Sequence, residues 1–230
     1  MPDAPEPTEQ DPDDADEDAL RAADGRVPGR RGRATRQRLL DQTAEMLGSS
    51  TFRDLKVVDI ARAAGTSPAT FYQYFPEVES AILVLAEEMA AEIPALCDLI
   101  YAGPWKGKGA YATSEALVQG LMDFWERNRA VLRVVDLATE EGDHRFRKIR
   151  ARLLTPLTQA LADSIRAQSG AAKPGDVDPM ATAGVLVAML ANVAAHRYGF
   201  EFWGIRTDDT LRAMTRIVYS AMTGQKPPAA

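Results

Sequence analysis

The most informative pattern in the chain lies at residues 57–75, which read VVDIARAAGTSPATFYQYF. Four apolar residues there share the i, i+3, i+4, i+7 spacing of one helix face, namely Val57, Ile60, Ala61 and Ala64. Gly65 then favours the end of that helix. Ser67 is a good N-cap and Pro68 suits the first helical position, so a second helix should begin here and run to about Phe75. The pattern predicts two short helices joined by a tight glycine turn.

Two short helices joined in this way form a helix-turn-helix, whose second helix can enter the major groove of DNA. The N-terminus of that helix offers backbone N–H groups to phosphate. Hydroxyl and amide groups that reach the DNA backbone and the base edges follow at Thr70, Tyr72, Gln73 and Tyr74. Upstream, the run Arg30-Arg31-Gly32-Arg33 suits a flexible arm that lies in the minor groove.

A purely structural role for the same residues stays open. Short helices with a glycine turn occur in many all-helical proteins, and Tyr72 and Tyr74 could be ordinary surface tyrosines. An arginine run by itself is more often a solvated tail. Its position just before the helical module is nevertheless that of a homeodomain arm, which favours DNA binding.

The formal net charge of −6 hides two segments of opposite sign. Residues 1–19 carry nine acids and no Lys or Arg, whereas residues 21–38 carry seven arginines and one acid. Residues 1–32 have little apolar surface to bury, so we expect an acidic tail and a basic arm that are disordered when free. Hydrophobic residues make up 46% of the 230 residues of the whole chain. The part beyond residue 32 is therefore large and apolar enough to form a sizeable core.

Beyond residue 32 the apolar period is helical nearly throughout, and no convincing alternation of apolar and polar residues predicts a strand. We therefore predict an all-α fold. Near the N-terminus we expect one helix capped by Thr35 and ending at Gly48, and another from Val78 through Ala91 or beyond, with Pro94 near its end or at a kink. Ser114–Glu126 should form the next helix, followed by one capped by Asn128 and a long one capped by Asp143 and bent at Pro156. The last two helices expected are Pro179–Phe202 and Asp208–Met222.

Residues 35–83 resemble the DNA-binding domain of the tetracycline-repressor (TetR) family, whose pattern is similar to V-x-D-I-A-x-x-A-G-V-S-x-G-T-x-Y-x-Y-F. The resemblance implies that Ser67, Thr70, Tyr72 and Tyr74 hold phosphates and that Pro68, Ala69 and Gln73 face base edges or thymine methyls. The sequence departs from the family at three positions. Lys56 stands where the family has a Ser or Thr that caps the second helix, and Asp54 could cap that helix instead. Ala69 replaces a Gly, and Val78 replaces a Lys that binds phosphate. The candidate DNA contacts are Arg30, Arg31, Arg33, Lys56, Ser67, Pro68, Ala69, Thr70, Tyr72, Gln73 and Tyr74.

The resemblance also implies the organisation of the whole chain. Residues 1–32 would be the tail and arm, residues 33–79 the helix-turn-helix domain, and residues 80–226 a helical domain for ligand binding and dimerisation. The cavity expected there is lined by Met122, Trp125, Leu132, Val135, Leu153, Leu157 and Met189, and it would take a small, largely apolar ligand. For each of these residues singly, plain core packing is the competing interpretation.

One helix of that second domain contains no charge from Met180 to Ala195, so it should be buried nearly all round. Its small residues form a stripe suited to close helix contact, Gly184, Ala188, Ala191 and Ala195. Its larger residues form a second stripe suited to the core or a pocket wall, Leu186, Met189, Leu190 and Val193. A third stripe lies on the last helix, at Leu211, Met214, Val218 and Ala221. Together they suit a four-helix dimer interface, as the resemblance implies, with a monomeric bundle core as the alternative.

The function implied is that of a cytoplasmic, homodimeric transcriptional regulator. It would be a repressor that a small-molecule effector releases from a palindromic operator in double-stranded DNA, with no cofactor, metal or membrane involved. The run Glu140-Glu141-Gly142-Asp143-His144 is more typical of a helix start than of a metal site. Cys97, the only cysteine, is expected to be an inert core thiol. Two alternatives remain: an all-helical enzyme or small-molecule carrier with a structural N-terminal module, although no catalytic set is evident, and a nonspecific nucleoid protein.

Overall fold

The computed structural model describes residues 29–169 and 177–228, and every regular element within those ranges is helical. The all-α prediction is therefore confirmed. The ten α-helices of the described ranges are α1 Arg30–Ser49, α2 Val57–Ala63, α3 Pro68–Tyr74, α4 Val78–Ala90, α5 Ile93–Ala102, α6 Gly109–Arg127, α7 Arg129–Glu140, α8 His144–Ser169, α9 Pro179–Phe202 and α10 Thr207–Thr223. A single 3₁₀ turn, Phe52–Asp54, precedes α2.

The chain divides into two compact units between Leu85 and Ala86, inside α4. The sequence-based boundary lies at residues 79 and 80. In the first unit α1 packs against both α2 and α3. Its core is formed by fully buried side chains, Leu39, Leu40, Ile60, Ala61 and Phe71.

Helix α1 begins earlier than expected, which corrects two predictions. Its first backbone bond runs from Arg33 N–H to the carbonyl of Gly29 at 3.0 Å, so Arg30, Arg31 and Arg33 lie in the first helical turn rather than in a flexible arm. Thr35 is not the N-cap; it lies inside the helix, where its hydroxyl accepts a bond from the Arg38 guanidinium at 3.2 Å. Arginine is a good helix former, which explains why the run joins the helix. The predicted tail at residues 1–28 lies outside the described residues.

The second unit is built around α6 and α8. Helix α6 packs against α5, α7, α9 and α10, and α8 packs against α5, α7, α9 and α10 as well. The buried residues of these two helices include Leu117, Leu121, Phe124, Leu153 and Leu157. They form the apolar centre of the unit.

Proline and polar residues decide where the helices of this unit begin. Pro94 lies in the first turn of α5, so it opens a new helix instead of ending or kinking a long one. Asp143 caps α8 as predicted, since its Oδ1 accepts a bond from Arg145 N–H at 2.8 Å. Asn128 does not cap α7; its Nδ2 donates to the carbonyl of Phe124 at 3.1 Å and so closes the preceding helix. Pro156 lies inside α8.

Helix α9 has the predicted bounds, and its own chain does not bury it on all sides. One face, which includes Ala183, Leu186 and Leu190, packs inside the unit, whereas Val185 is 70% exposed. The apolar sequence of α9 therefore has one face that its own chain leaves open. By length and composition α9 is also the one helix among the described residues that could cross a membrane. In its apolar stretch of 18 residues, 28% is buried inside the chain. The backbone leaves helical geometry at His196.

Candidate nucleic-acid interface and effector cavity

The turn between α2 and α3 is a Schellman motif closed by Gly65, which has a φ of +66°. Thr66 N–H donates to the carbonyl of Ala61 at 2.8 Å, and Gly65 N–H donates to that of Arg62 at 3.1 Å. A positive φ is strained for residues with a Cβ, so glycine is the suitable residue at this point. The sequence-based prediction of a tight glycine turn is confirmed.

Helix α3 begins with the predicted cap. Ser67 Oγ accepts a bond from Thr70 N–H at 3.1 Å and lies 3.0 Å from Thr70 Oγ1, and Pro68 is the first helical residue. The cap fixes the two hydroxyls next to each other at the start of the helix. Both can bond to an anion, because a hydroxyl donates as well as accepts.

The rest of α3 divides into a buried and an open side. Phe71 and Phe75 are buried with their ring centroids 5.5 Å apart, and Arg36 of α1 lies over the Phe75 ring at 5.3 Å. On the open side Tyr72 is 53% exposed, and its ring packs edge-on against Phe71 at 5.9 Å. The other predicted contacts on this helix are exposed or half-buried, namely Pro68, Ala69, Thr70, Gln73 and Tyr74. Helix α3 thus presents hydroxyl and amide groups from a fixed apolar base.

The predicted contacts outside α3 are also at the surface of this unit. Lys56 is exposed immediately before α2, and Arg30, Arg31 and Arg33 are exposed in the first turn of α1. Helix α2 has no side-chain cap. Asp54 is not a substitute cap, because its carboxylate instead accepts a bond from the Thr51 hydroxyl at 2.6 Å.

The second unit contains a cavity of about 870 Å³ between α7, α8 and α9, with Trp125 of α6 in its wall. Of the predicted ligand contacts, Trp125, Leu132 and Leu153 line it. The other four are not in its wall: Met122, Val135, Leu157 and Met189. Met122, Val135 and Leu157 are buried core residues, because each lies on a side of its helix that faces other helices of the unit.

The small residues of α9 line this cavity, a role that the sequence analysis did not assign to them. Gly184, Ala188, Ala191 and Ala195 all contribute to its wall, and the close helix contact expected of them in a dimer stays a prediction. Leu186 and Leu190, from the stripe of larger residues, are buried in the core as expected. Periodicity finds the two stripes but does not tell which neighbour each one faces.

The cavity also contains polar groups that the sequence analysis missed. Charged side chains lie at its exposed margin, where Arg150 Nε and Asp136 Oδ1 form an ion pair at 3.1 Å beside Arg133 and Glu140. His196 lines the cavity too, and its Nδ1 donates to the carbonyl of Asn192 at 3.0 Å. The charged residues 133, 136 and 140 are three and four positions apart and therefore lie on one side of α7. This spacing was the sequence signal for the charged margin of the cavity, but an ordinary solvent-exposed helix face has the same spacing.

Two buried polar atoms of the cavity wall have no hydrogen-bond partner. They are Nε1 of Trp125, a side chain that is 5% exposed, and Oγ1 of Thr139. Native structures leave few buried polar groups unpaired, so such atoms call for an explanation.

Five large apolar side chains are exposed on α9, on α10 and in the turn between these helices, and together we call them the open apolar surface of α9 and α10. They are Val185, Phe202, Trp203, Ile205 and Ile217, of which Phe202 is 88% and Trp203 72% exposed. The predicted stripe on α10 does not belong to this surface. Met214 and Val218 are buried inside their own unit, so that stripe is core and the open side of α10 lies at Ile217.

Cys97 and the acidic run before α8 are the remaining candidates from the sequence analysis. Burial, followed by the nearby Asp98, raises the pKa of the Cys97 thiol, which disfavours the reactive thiolate as expected for a core cysteine. Across residues 29–169 and 177–228 no group of three or more His, Cys, Asp or Glu side chains could hold a metal ion.

Comparison with known proteins gives two matches to family models. Residues 39–79 match the model described as bacterial regulatory proteins, tetR family, and residues 96–229 match the tetracyclin repressor-like C-terminal domain. A comparison of the sequence with curated proteins finds no match.

Solved structures share the fold. The fatty acid degradation regulator FadR from Bacillus halodurans superimposes with a TM-score of 0.59 at 14% identity, over 86% of this chain and 97% of that one. A TetR family transcription regulator from Marinobacter aquaeolei VT8 gives 0.54 at 18% identity, over 83% and 96%. Reduced NemR from E. coli gives 0.55 at 16% identity, over 79% and 94%.

Proposed function

The chain belongs to the tetR family of bacterial regulatory proteins and is a DNA-binding transcriptional regulator, and we propose that it is a homodimeric repressor released from a palindromic operator by a small molecule. The observation that carries the DNA-binding part is the open side of α3, where Ser67, Thr70 and Tyr72 stand on a buried aromatic base. We propose a cytoplasmic regulator without catalytic activity.

In the proposed complex the hydroxyls of Ser67, Thr70, Tyr72 and Tyr74 hold phosphates, while Pro68, Ala69 and Gln73 face the bases. Phosphate contacts fix the register and base contacts carry the sequence specificity. Lys56 and the arginines in the first turn of α1 add phosphate contacts that need no flexible arm. These cations would make the affinity fall as the salt concentration rises.

The second copy of the chain would cover the open apolar surface of α9 and α10. Exposed apolar side chains of this kind, Val185 and Ile217 among them, mark an association surface, and a two-fold dimer uses the same surface on both subunits. Two recognition helices related by a two-fold axis read successive major-groove faces roughly 34 Å apart, which explains a palindromic site.

The effector would occupy the cavity between α7, α8 and α9. Its volume of about 870 Å³ lies within the range of small-molecule sites. A ligand that binds one packing of these helices better than another shifts the population toward that packing. Release of DNA follows if the favoured packing changes the separation of the two recognition helices.

The experiment exploits the double role of Ser67. Ser67→Asp keeps a good N-cap but brings a carboxylate to the proposed phosphate contact. We expect the variant to unfold at a denaturant concentration close to that of the wild type and to bind its promoter-derived duplex at least tenfold more weakly in fluorescence anisotropy. Ala112→Asp, an exposed position in α6 of the other unit, adds the same charge and should bind DNA like the wild type.

Failure of the wild-type protein to shift any duplex from its own promoter at low salt would contradict the proposal and favour the enzyme or carrier alternative. Equal DNA affinity of Ser67→Asp and the wild type would remove α3 from the interface. Tight binding without preference for one duplex would favour the nonspecific nucleoid protein.

A further inference from the structure

The acidic segment at residues 1–19 has no part in the function proposed above. It carries nine acids and no Lys or Arg, and apart from Met1 its apolar residues are only alanines and prolines. Little apolar surface is therefore available for binding, and charge is the property by which this segment can recognise a partner. A surface rich in Lys and Arg is the complement that it requires.

The first unit presents such a surface at the start of α1. Arg30, Arg31 and Arg33 are exposed in the first helical turn, which contains no acid. Neither Arg30 nor Arg31 forms an ion pair with any acid of the described residues. Lys56 is exposed as well, and residues 29–76 together carry eight Lys or Arg against four Asp or Glu. Cations placed so close together repel one another, so an anion at this surface lowers its electrostatic energy.

The acidic segment is tethered close to this surface. Gly29 follows Ala19 by ten positions, and a chain of that length spans at most about 36 Å. The nearest acids, Asp16, Glu17 and Asp18, are thereby held near the arginines at an effective concentration of roughly millimolar or more. Contact within one chain needs no second molecule, so its strength is independent of the protein concentration.

We propose that residues 1–19 dock on the arginine-rich start of α1 in the DNA-free protein and compete with DNA for it. Their carboxylates take the place of the phosphates that Arg30, Arg31 and Arg33 hold in the proposed complex. The inference rests on the proposed DNA-binding role of these cations and adds an internal competitor to it. Because DNA has to displace the acidic segment, the chain binds DNA more weakly than its basic surface alone would.

The competition is tested with a full-length neutral-tail variant, in which the six aspartates and three glutamates of residues 1–19 become Asn and Gln. We expect it to bind the promoter-derived duplex at least about tenfold more tightly than the wild type in fluorescence anisotropy at about 50 mM salt. The difference should shrink as the salt concentration rises, because ions screen the contact between the acids and the arginines. The matched control is a full-length variant with residues 2–19 in shuffled order, which keeps the charge and should bind DNA like the wild type.

Docking itself is measured without DNA, through the side-chain Nε–H signals of ¹⁵N-labelled arginine. At low salt the signals of Arg30 and Arg31 should differ between the wild type and the neutral-tail variant, and at about 1 M salt they should coincide. Arg147, exposed on α8 of the other unit, should give the same signal in both proteins. A separate peptide of residues 1–19, added to the neutral-tail variant, should restore the wild-type signals and weaken DNA binding. Repulsion between DNA and an undocked tail would produce neither effect.

The two proposals fail in distinguishable ways. Equal DNA affinity of the wild type and the neutral-tail variant, or Arg30 and Arg31 signals that do not differ between them, would overturn the inference. A shuffled variant that binds DNA like the neutral-tail variant would overturn it too, since binding would then depend on the order of the residues and not on their charge. If the duplex is bound without these differences, the internal competitor is wrong and the regulator remains. If neither protein binds the duplex, the proposed function itself fails, and the arginine signals still show whether the segment docks.

Discussion

The hydroxyl of Tyr198 donates a hydrogen bond to Glu126 Oε1 at 2.8 Å and so joins residues 72 positions apart. The other oxygen of the same carboxylate lies 3.1 Å from the guanidinium of Arg197. Arg129 lies over the Tyr198 ring at 4.2 Å. These contacts tie α9, just beyond its break at His196, to the end of α6 and the start of α7.

We expect Tyr198→Phe to lower the free energy of unfolding by about 1 kcal/mol and to keep the ring under Arg129. The substitution removes two solvent-exposed hydrogen bonds, the one donated to Glu126 and the one that the hydroxyl accepts from Arg197 at 3.0 Å. Glu126→Ala should cost more, about 2 kcal/mol, since it also leaves the largely buried Arg197 without its carboxylate. Urea unfolding measures both. Arg212→Ala, which breaks the exposed pair with Asp209, should change the stability by less than about 0.5 kcal/mol. A Tyr198→Phe variant as stable as the wild type would show that the contacts of the Tyr198 hydroxyl do not contribute to stability.

Substitution of Gly65 should act through the backbone alone. An added Cβ would meet no atom within 4 Å, but the φ of +66° is unfavourable for alanine, so Gly65→Ala should destabilise the first unit by about 1–2 kcal/mol. Gly48→Ala is the matched control, since that glycine also has open space but lies in α1 without a positive φ. It should stabilise by about 0.5 kcal/mol. Thermal unfolding that shifts in the same direction for both variants would contradict this explanation.

Asp143 should make the stability of the second unit depend on pH. The Arg145 guanidinium holds the pKa of this carboxyl below its ordinary value, and backbone bonds at the start of α8 act in the same direction. A lowered pKa means that the stabilisation is present above the unfolded-state pKa of about 3.9 and is lost as the pH falls through the folded-state value. Asp143→Asn keeps an N-cap without the charge, so it should be less stable than the wild type at neutral pH. This difference should shrink as the pH is lowered below about 4. Urea unfolding across this range measures it, and a difference independent of pH would rule out the charge as its cause.

The parts of the fold that the sequence predicts correctly carry local chemical signals. Gly65, Ser67 and Pro68 fix the turn and the start of α3, because positive φ and side-chain capping depend on those residues themselves. The start of α1 was missed because its first turn is arginine-rich and has no apolar stripe to reveal it. Charge alone does not distinguish an exposed helical turn from a disordered arm.

Hydrophobic periodicity shows that a helix has an apolar face but does not show what that face packs against. Gly184 and Ala188 are small and regularly spaced, which is equally consistent with a helix contact and with a cavity wall. Met214 and Ile217 on α10 are both apolar, yet the first is core and the second is exposed. Only the packing of all the helices of the unit decides between these roles. For the same reason the unpaired N–H of Trp125 could not be predicted from the sequence.

The apolar surface of α9 and α10 leads to a prediction about assembly. Val185 is 70% exposed within its own chain, so Val185→Asp should leave the subunit folded. In a dimer that buries this surface the two-fold axis would place carboxylates in apolar surroundings, which is costly because no counter-ion is available. We expect the dimer dissociation constant from sedimentation equilibrium to rise at least 100-fold. Circular dichroism should remain that of the wild type.

The control for assembly is Val58→Asp, the same substitution at an exposed valine of α2. It should leave the dimer intact and weaken only DNA binding, since its carboxylate would lie near phosphates. Val185→Asp should weaken binding to a palindromic duplex through the loss of the second half-site contact, and raising the protein concentration should restore that binding. A Val185→Asp protein that remains dimeric would place the association surface elsewhere on the chain.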